Sequence, residues 1–552
     1  MAEVKYIEGY PEEIFQLIPK VHETRSWRAE NIPAAMTKEE RQEVLKIHPD
    51  WAPGGKRKIV VGPNQGDIAP REVVDLLEAY PLIEKQEVDL SIPDYQVDIM
   101  VLGGGLAGTA ACIWAHEMGI DKDKILLVNK LRHGDANSIM AEGGTQAADR
   151  KVDSLERHYL DTIGGGHFTN KPDVLRALVE DGPFIMHWLH ELGVIFDKEE
   201  NGDFVEKWGG GTSIKRMHSC RDYTGLEEFR VIRDEFISRK IGCIEHFPAV
   251  ELLTDGDKVT GAVLYNLETG EYKVVAAKAT ILATGGFGRL HIRGFPTTNH
   301  YGATGDGVVL AYRAGAKLRD TDTVQYHPTG AAYPVQIIGY LLTEKLRTSG
   351  AQPVNIDGEA FVFAMEPRDV EAAAIIRECY VRNKGITTPS GLRGVWLDTP
   401  MIELKNGKGY IEKAFPGMDR MFRRYDIDMA KNPVLIFPTL HYQNGGVETD
   451  PVGRTTLEGL WVAGEVSGGV HGKNRLMGNS TLDCMVFGRR TGISAAEYIK
   501  KGKKQGKLTL EHVSNYVKML KEAKIKPKRR SPILLPEYRG KKSLARALHV
   551  EV

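Results

Sequence analysis

Val97-Asp98-Ile99-Met100-Val101-Leu102-Gly103-Gly104-Gly105-Leu106-Ala107-Gly108 is the stretch that decides the fold. A short apolar run ends in glycines spaced Gly103-x-Gly105-x-x-Gly108. The apolar residues from Leu106 to Met118 then read as a helix, and Ile125-Leu126-Leu127-Val128 as a second buried strand. In a strand–turn–helix–strand unit each glycine has a physical task. Gly103 permits the tight turn, Gly105 lets backbone approach a pyrophosphate, and Gly108 allows close packing of helix on strand. The phosphates then lie against the positive end of the helix. The expected fold class is α/β with a Rossmann-like dinucleotide-binding domain. About twenty residues on, where an acid commonly takes the ribose hydroxyls, stands Asn129, which can still hydrogen-bond a hydroxyl. These residues alone do not separate FAD from NAD.

Working outward, Ala279 to Ala283 is a further apolar strand that runs into Thr284-Gly285-Gly286. An alternating run near Gly261 to Tyr265 and a turn at Glu268-Thr269-Gly270-Glu271 precede it. Residues 331–440 mix helix and strand signals with several prolines, and residues 456–500 return to strand, glycine turn and helix. A nucleotide fold interrupted by an inserted domain accounts for that order. Residues 1–95 form a polar, proline-punctuated extension with one short helix at Val74 to Tyr80 after Pro70, read as a surface strap or a partner-docking arm. Residues 501–552 form a basic tail, with Lys528-Arg529-Arg530 in a run expected to be solvated or to dock an acidic partner.

A chain of 552 residues can hold more than one core. Its net charge of −1 gives no global field toward nucleic acid, and none is expected as a partner. The five cysteines, 112, 220, 243, 379 and 484, form no Cys-x-x-Cys pair. No iron–sulfur or zinc site of the usual spacing is therefore expected, and the sparse count fits a reducing compartment. The longest uncharged run, Ile99 to Ala115, falls short of the ~20 residues that span a bilayer. The opening residues lack the basic-then-apolar order of a signal peptide. A cytoplasmic protein is expected, with membrane contact only through a partner.

Two more stretches carry a resemblance. Glu465-Val-Ser-Gly-Gly-Val-His-Gly-Lys-Asn-Arg-Leu-Met-Gly-Asn-Ser480 places Arg475 in a glycine-rich turn, and a bidentate guanidinium suits a carboxylate. Gln325-Tyr-His-Pro-Thr-Gly330 is the other. With Gly103 to Gly108 they resemble the flavoprotein subunit of the fumarate reductases and succinate dehydrogenases. The resemblance implies FAD, held in a domain split between residues 96–321 and 443–500, with an α+β capping domain at 322–442. It implies FAD contacts at Gly103, Gly105, Leu106, Ala107, Gly108, Asn129 and Lys130. Met140-Ala141-Glu142-Gly143-Gly144 resembles a segment that lies along the flavin ring, adding Ala141, Gly143 and Gly144. Ala283, Thr284, Gly285 and Asp306 resemble later contacts. Glu465 stands for the ribose-binding acid, Asn479 and Ser480 for groups at the ring's polar edge, and Leu482 follows them. The respiratory enzymes carry a flavin-linked histidine four residues before the position of Ala141; here that residue is Asn137, followed by Ser138. His133 is out of register, so non-covalent FAD is expected.

The same resemblance makes His327, Thr343, His441 and Arg475 ligands of a C4 dicarboxylate such as fumarate or succinate. It makes Arg368, in Glu366-Pro-Arg-Asp-Val370, the proton donor, and Glu344 the carboxylate that returns its proton. Arg347 is a weaker extension of that path. The family's second arginine, five residues after the donor, is here Ala373, with Arg377 beyond. The expected reaction is hydride transfer between FAD N5 and the dicarboxylate, in the fumarate-reducing direction. Electrons imply a separate iron–sulfur subunit. An L-aspartate oxidase, a reductase of another enoate, and a flavin electron-transfer subunit of a larger complex are the alternatives.

Overall fold

The computed structural model describes residues 9–83 and 88–538. Its first sheet is parallel at heart. The strands lie in the order Gly242–Ile244, Ile125–Val128, Tyr95–Leu102, Tyr272–Leu282 and Leu460–Val462. Val101 stands beside Leu127 on one side and Ile281 on the other. The last four residues of Tyr95–Leu102 are buried, as the continuous apolar run requires of a strand covered on both faces. The chain starts in the middle of this sheet, builds outward to one edge, then returns to build the other. The reversal falls beside Tyr95–Leu102, and such a switch point leaves a crevice at the carboxyl ends of the strands. Tyr272–Leu282 is longer than the sequence run, because its first half pairs antiparallel with Lys258–Tyr265, which pairs in turn with Ala249–Asp255.

The Leu106–Glu117 helix packs against Asn479–Lys500 through small residues. A Cβ on Gly488 would stand 2.6 Å from the Ala107 carbonyl oxygen, so any side chain there would push the helices apart. Residues 324–443 contribute a second, antiparallel sheet, in the order Val324–Ala331, Val434–Gln443, Arg393–Asp398 and Gln352–Val354. The Arg368–Ile376 helix packs on its Val324–Ala331 strand.

The amino-terminal segment is folded onto both sheets. Pro70 caps a helix at Arg71–Leu77, three residues earlier than the sequence pattern places it. The Ile18–Glu30 helix lies on the second sheet, where Arg25 and Arg28 both pair with the buried Asp398 at 2.8 Å. Tyr10 donates to the Pro433 carbonyl and crosses the Trp396 ring edge-on. Asn64 meets Leu318, and Tyr312 donates to the Val61 carbonyl, on the flavin side.

The basic carboxyl-terminal run is not a free end within the described residues. Arg530–Ser531 pairs with Tyr80–Pro81, Arg529 meets Asp75, and Tyr516 of the Glu511–Glu522 helix donates to the Leu77 carbonyl. Lys528, Arg529 and Arg530 are exposed, as a solvated run should be, while backbone pairing, invisible in composition, holds the run in place. Residues 539–552 lie outside the described residues.

Candidate active site

The glycine turn opens on a cavity of about 680 Å³ that runs from the switch point to the second sheet. Gly103 has φ +109°, in the region that favours glycine, and a Cβ there would lie 2.3 Å from the Ala283 carbonyl oxygen. A Cβ on Gly108 would lie 1.9 Å from the Gly103 carbonyl oxygen. The turn is therefore a cradle that only glycine can form, and its exposed backbone lines the cavity with Gly105, Leu106 and Ala107. Gly108 lies behind it, under the helix, as close packing demands.

Along one wall, Asn129 and Lys130 follow the second strand. The Asn129 amide donates to Cys243 Sγ at 3.2 Å. Lys130 Nζ meets Asp306 Oδ2 at 2.5 Å and donates to Thr304 Oγ1. Asn137, Ser138, Ala141, Gly143, Gly144, Ala283, Thr284 and Gly285 continue the lining. The Thr284 hydroxyl is buried without a partner, an unused hydrogen-bonding group on the wall. Glu465 faces Asn137, whose Nδ2 donates to its Oε2 at 3.2 Å, and it accepts from the Gln443 amide at 3.0 Å. Burial pushes the Glu465 carboxyl above its ordinary range. Ser480 also lines the cavity, but Asn479 and Leu482 do not. Asn479 turns into the interior, where Oδ1 meets His158 Nε2 and Nδ2 donates to Thr162, both at 3.0 Å. Leu482 is fully buried among core residues. His133 bonds Thr109 and packs edge-on against Phe229 and Phe236, away from the cavity, while His300, unremarked in the sequence, is on it. A glycine cradle, a helix start and a deep carboxylate across from them suit a dinucleotide with a ribose hydroxyl pair.

At the far end the cavity is lined by His327, Thr343, Glu344, Arg368, His441 and Arg475. They come from separate parts of the fold: His327 and His441 from paired strands of the second sheet, Thr343 and Glu344 together from the turn before Lys345–Thr348, Arg368 from the first turn of its helix, Arg475 from the turn before the last long helix. The imidazole rings lie 5.0 Å apart. Burial and then the Arg368 guanidinium hold both imidazoles well below their ordinary pKa, so both are neutral at pH 7. The Thr329 amide donates to His327 Nδ1 at 3.2 Å, which leaves the ring proton on Nε2. His441 Nδ1 shares a bond with Thr298 at 2.8 Å.

Arg368 Nε donates to Glu344 Oε2 at 2.7 Å, and Nη1 donates to Gln325 Oε1 at 2.8 Å. Among the described residues Nη2 has no such partner. Glu344 also accepts from the Gly210 amide at 2.6 Å and lies 3.2 Å from Arg347. Burial alone would raise the Glu344 carboxyl, but Arg368 and Arg347 outweigh it and bring it down to about 2. Arg347 pairs in turn with the buried Glu371. Arg475 lies 4.5 Å over the Tyr442 ring, and burial with the charge of Arg368 pushes its guanidinium down to about 9.

Sequence reading missed three residues of this network. Gln325 joins Arg368 to Asn474 and to the Arg475 carbonyl. His167 meets Asp369 at 2.7 Å, beside Arg368 in the chain. Glu371 holds Arg347, and its position three residues after Arg368 on one helix was the available signal. Ala373 is core, and Arg377 lies outside the cavity lining.

The switch-point cradle and the deep acid opposite it define a dinucleotide-binding oxidoreductase fold. The FAD binding domain family matches residues 98–481, and the chain belongs to that family; it is an FAD-dependent flavoprotein oxidoreductase. The CoM/CoB fumarate reductase component of Methanothermobacter marburgensis is 36% identical over 78% of this chain and 79% of its own length. L-aspartate oxidase of Streptomyces coelicolor is 34% identical over 72% of this chain and 68% of its own. A quinol fumarate reductase structure from E. coli superposes with TM-score 0.69 and 29% identity, over 78% of this chain and 74% of that one. Among the described residues no helix is long and apolar enough to cross a membrane.

Proposed function

We propose that this chain is the flavoprotein component of a fumarate reductase, and that it reduces a C4 dicarboxylate at the far end of the cavity. The observation that carries the reading is the charge of that end. Arg368 and Arg475 line one buried space with two neutral imidazoles, and the charge of Arg368 adds to burial in depressing the Arg475 guanidinium. A small dianion entering between them relieves that repulsion and finds donors for both carboxylates.

When bound and reduced, FAD would supply a hydride, which carries both electrons. The residues that would hold it are the Gly103–Gly108 turn, Asn129, Lys130, Ala141 to Gly144, Thr284, Asp306, Glu465 and Ser480, without a covalent link at Asn137. The protein's own work is to hold the dicarboxylate with His327, Thr343, His441 and Arg475, and to stabilise the negative charge that builds on one carboxylate. Arg368 delivers the proton to the other carbon from the guanidinium nitrogen that Glu344 and Gln325 leave open. Arginine gives up a proton reluctantly. Burial lowers the cost here, and Glu344, ionised at rest and bonded to Nε, would relay a proton taken up from solvent to restore the guanidinium. Residues 322–442 would act as a cap that excludes water over this chemistry. The electrons would arrive from a separate iron–sulfur protein, which would also make any membrane contact.

The test is to reduce the purified protein with dithionite, exclude oxygen, add fumarate and follow the flavin absorbance. Rapid reoxidation with one succinate formed per flavin supports the proposal. No reoxidation by fumarate moves the function to another acceptor while leaving the FAD assignment in place.

A further inference from the structure

Asp149, Glu206 and His218 lie far apart in the sequence and follow no metal motif, yet their side chains meet. His218 sits in the short Met217–His218 strand, paired with Thr145–Gln146, and its neighbour across the pair is Thr145. Asp149 follows that partner strand, and Glu206 precedes Lys207, which bridges back to Met217. His218 Nε2 stands 3.2 Å from Asp149 Oδ2 and 4.0 Å from Glu206 Oε1. One donor atom from each residue falls within 4.8 Å of the other two. The carboxylates are nearly closed off, at 5% and 6% side-chain exposure, and the imidazole is fully buried.

These groups also lack partners. Neither His218 nitrogen completes a hydrogen bond of good geometry, and its one close polar contact is the ion-pair approach to Asp149. Asp149 Oδ1 and Glu206 Oε1 are buried and unpartnered as well. Buried polar atoms without partners are costly, and four in one spot point to a missing ligand. The local charge agrees. Arg150 lies 3.5 Å from Glu206, while the nearby Arg216 is already taken by Asp153 and Asp161. Among the described residues one guanidinium therefore pairs with Glu206, and Asp149 has only His218 within ion-pair range. Phe196 and Phe204 wall the His218 ring, which keeps bulk water away.

We propose that Asp149, Glu206 and His218 form a binding site for a divalent first-row transition-metal ion of the zinc class. Two ligand atoms bound at zinc distances in a tetrahedral site are about 3.3 Å apart. The histidine–aspartate pair already has that separation, Glu206 stands 4.0 Å from His218, and all three donor atoms lie within 4.8 Å of one another, so a shift of Glu206 toward the pair closes the site. One imidazole and two carboxylates, with water in the fourth position, form a donor set zinc accepts. The ion would tie the ribbon that begins after Gly143 and Gly144 to the strand behind it, and so fix the wall of the flavin cavity. Its role is positioning, and it touches neither flavin nor substrate.

The FAD-loaded protein is stripped with a chelator, passed through a desalting column, and titrated with zinc chloride against a chromophoric chelator. Elemental analysis then counts the metal retained. The expected result is one equivalent per chain, with affinity lowered roughly 100-fold or more by Glu206→Gln and by His218→Gln. FAD content and far-ultraviolet dichroism show that each variant is folded. Glu206→Gln, which leaves the buried ring in place, carries the test if His218→Gln does not fold. Retention of no zinc by the wild-type chain overturns the proposal. So does an equivalent that folded Glu206→Gln holds as tightly as wild type.

Discussion

At the scale of single residues, the site is a chain of opposed charges built around Arg368. Replacing it with lysine keeps a positive charge but loses the fork that contacts Glu344 and Gln325 together. Arg368→Lys should retain FAD and lose fumarate turnover by on the order of 10²–10⁴-fold, the usual worth of a positioned proton donor. Steady-state assay beside flavin content checks it, and near-normal activity reassigns the donor. The His167–Asp369 pair gives a prediction of known sign. Hydrogen bonding to Asp369 raises the imidazole above 6.5, and for Asp369 burial is outweighed by His167, so that carboxyl falls below 3.8. The imidazole's stabilisation is fully present below pH 6.5 and is lost as pH rises through its higher folded value. The stability gap between wild type and His167→Gln should therefore be widest near pH 5.5 to 6 and shrink above neutrality, in urea unfolding across that range. A constant gap would mean that the pair contributes through packing alone. That His327, Thr343, His441 and Arg475 belong to one site was legible because each stands in a distinctive local string, and all four line the cavity. Gln325, Glu371 and His167 were not, since their meaning lies in partners up to 202 positions away. Asn479 misled for the opposite reason: a polar residue at a helix start reads as a ligand contact, but this one satisfies His158 in the interior.

Among elements, the legible ones were those whose burial shows in the sequence. Tyr95–Leu102 and Ile125–Val128 are covered on both faces at their apolar ends, so their runs are continuous and end at glycine or polar residues. Gly242–Ile244 escaped because it is three residues at an exposed edge, held by backbone bonds to Ile125–Val128 rather than by an apolar pattern. The second sheet was legible only as mixed texture, since its strands pair with distant partners, Val324–Ala331 with Val434–Gln443 across more than a hundred residues. The glycine turn makes the sharpest prediction at this scale. In Gly108→Ala the new methyl meets the Gly103 carbonyl, which is backbone and cannot swing aside. The helix must lift from the strand, at about 1–3 kcal/mol, and the cradle loses its shape. The variant should purify largely without FAD and melt at a lower temperature, as the ratio of flavin to protein absorbance and a thermal scan would show. Full FAD occupancy would mean that the turn tolerates displacement.

For the whole molecule, the question is what holds the two sheets in register around one cavity. The amino-terminal segment touches both. Tyr10 and the Ile18–Glu30 helix grip the second sheet, and residues from Arg57 to Ile83 lie against the flavin side. Between them, the Asp50 carboxylate accepts from the Val324 amide, where the second sheet begins. Charge pairing alone would make this a weak clasp, because bringing Asp398 and two arginines out of water offsets much of their attraction. The apolar residues decide the matter: Tyr10, Ile14, Ile18 and Val21 are all at most 4% exposed, and each buried side chain of this kind contributes about 1.5–3 kcal/mol before the entropy of ordering the segment. Deleting residues 1–33 should therefore lower the melting temperature and uncover apolar surface that binds a hydrophobic dye. None of the described residues among them lines the cavity, so FAD should stay bound. What should change is the KM for the dicarboxylate, because His327, Arg368 and His441 come from the sheet and helix that the segment clamps. A truncated protein with unchanged melting temperature and KM would show that the segment merely lies on the surface, and that register is set by the direct contacts between the two sheets.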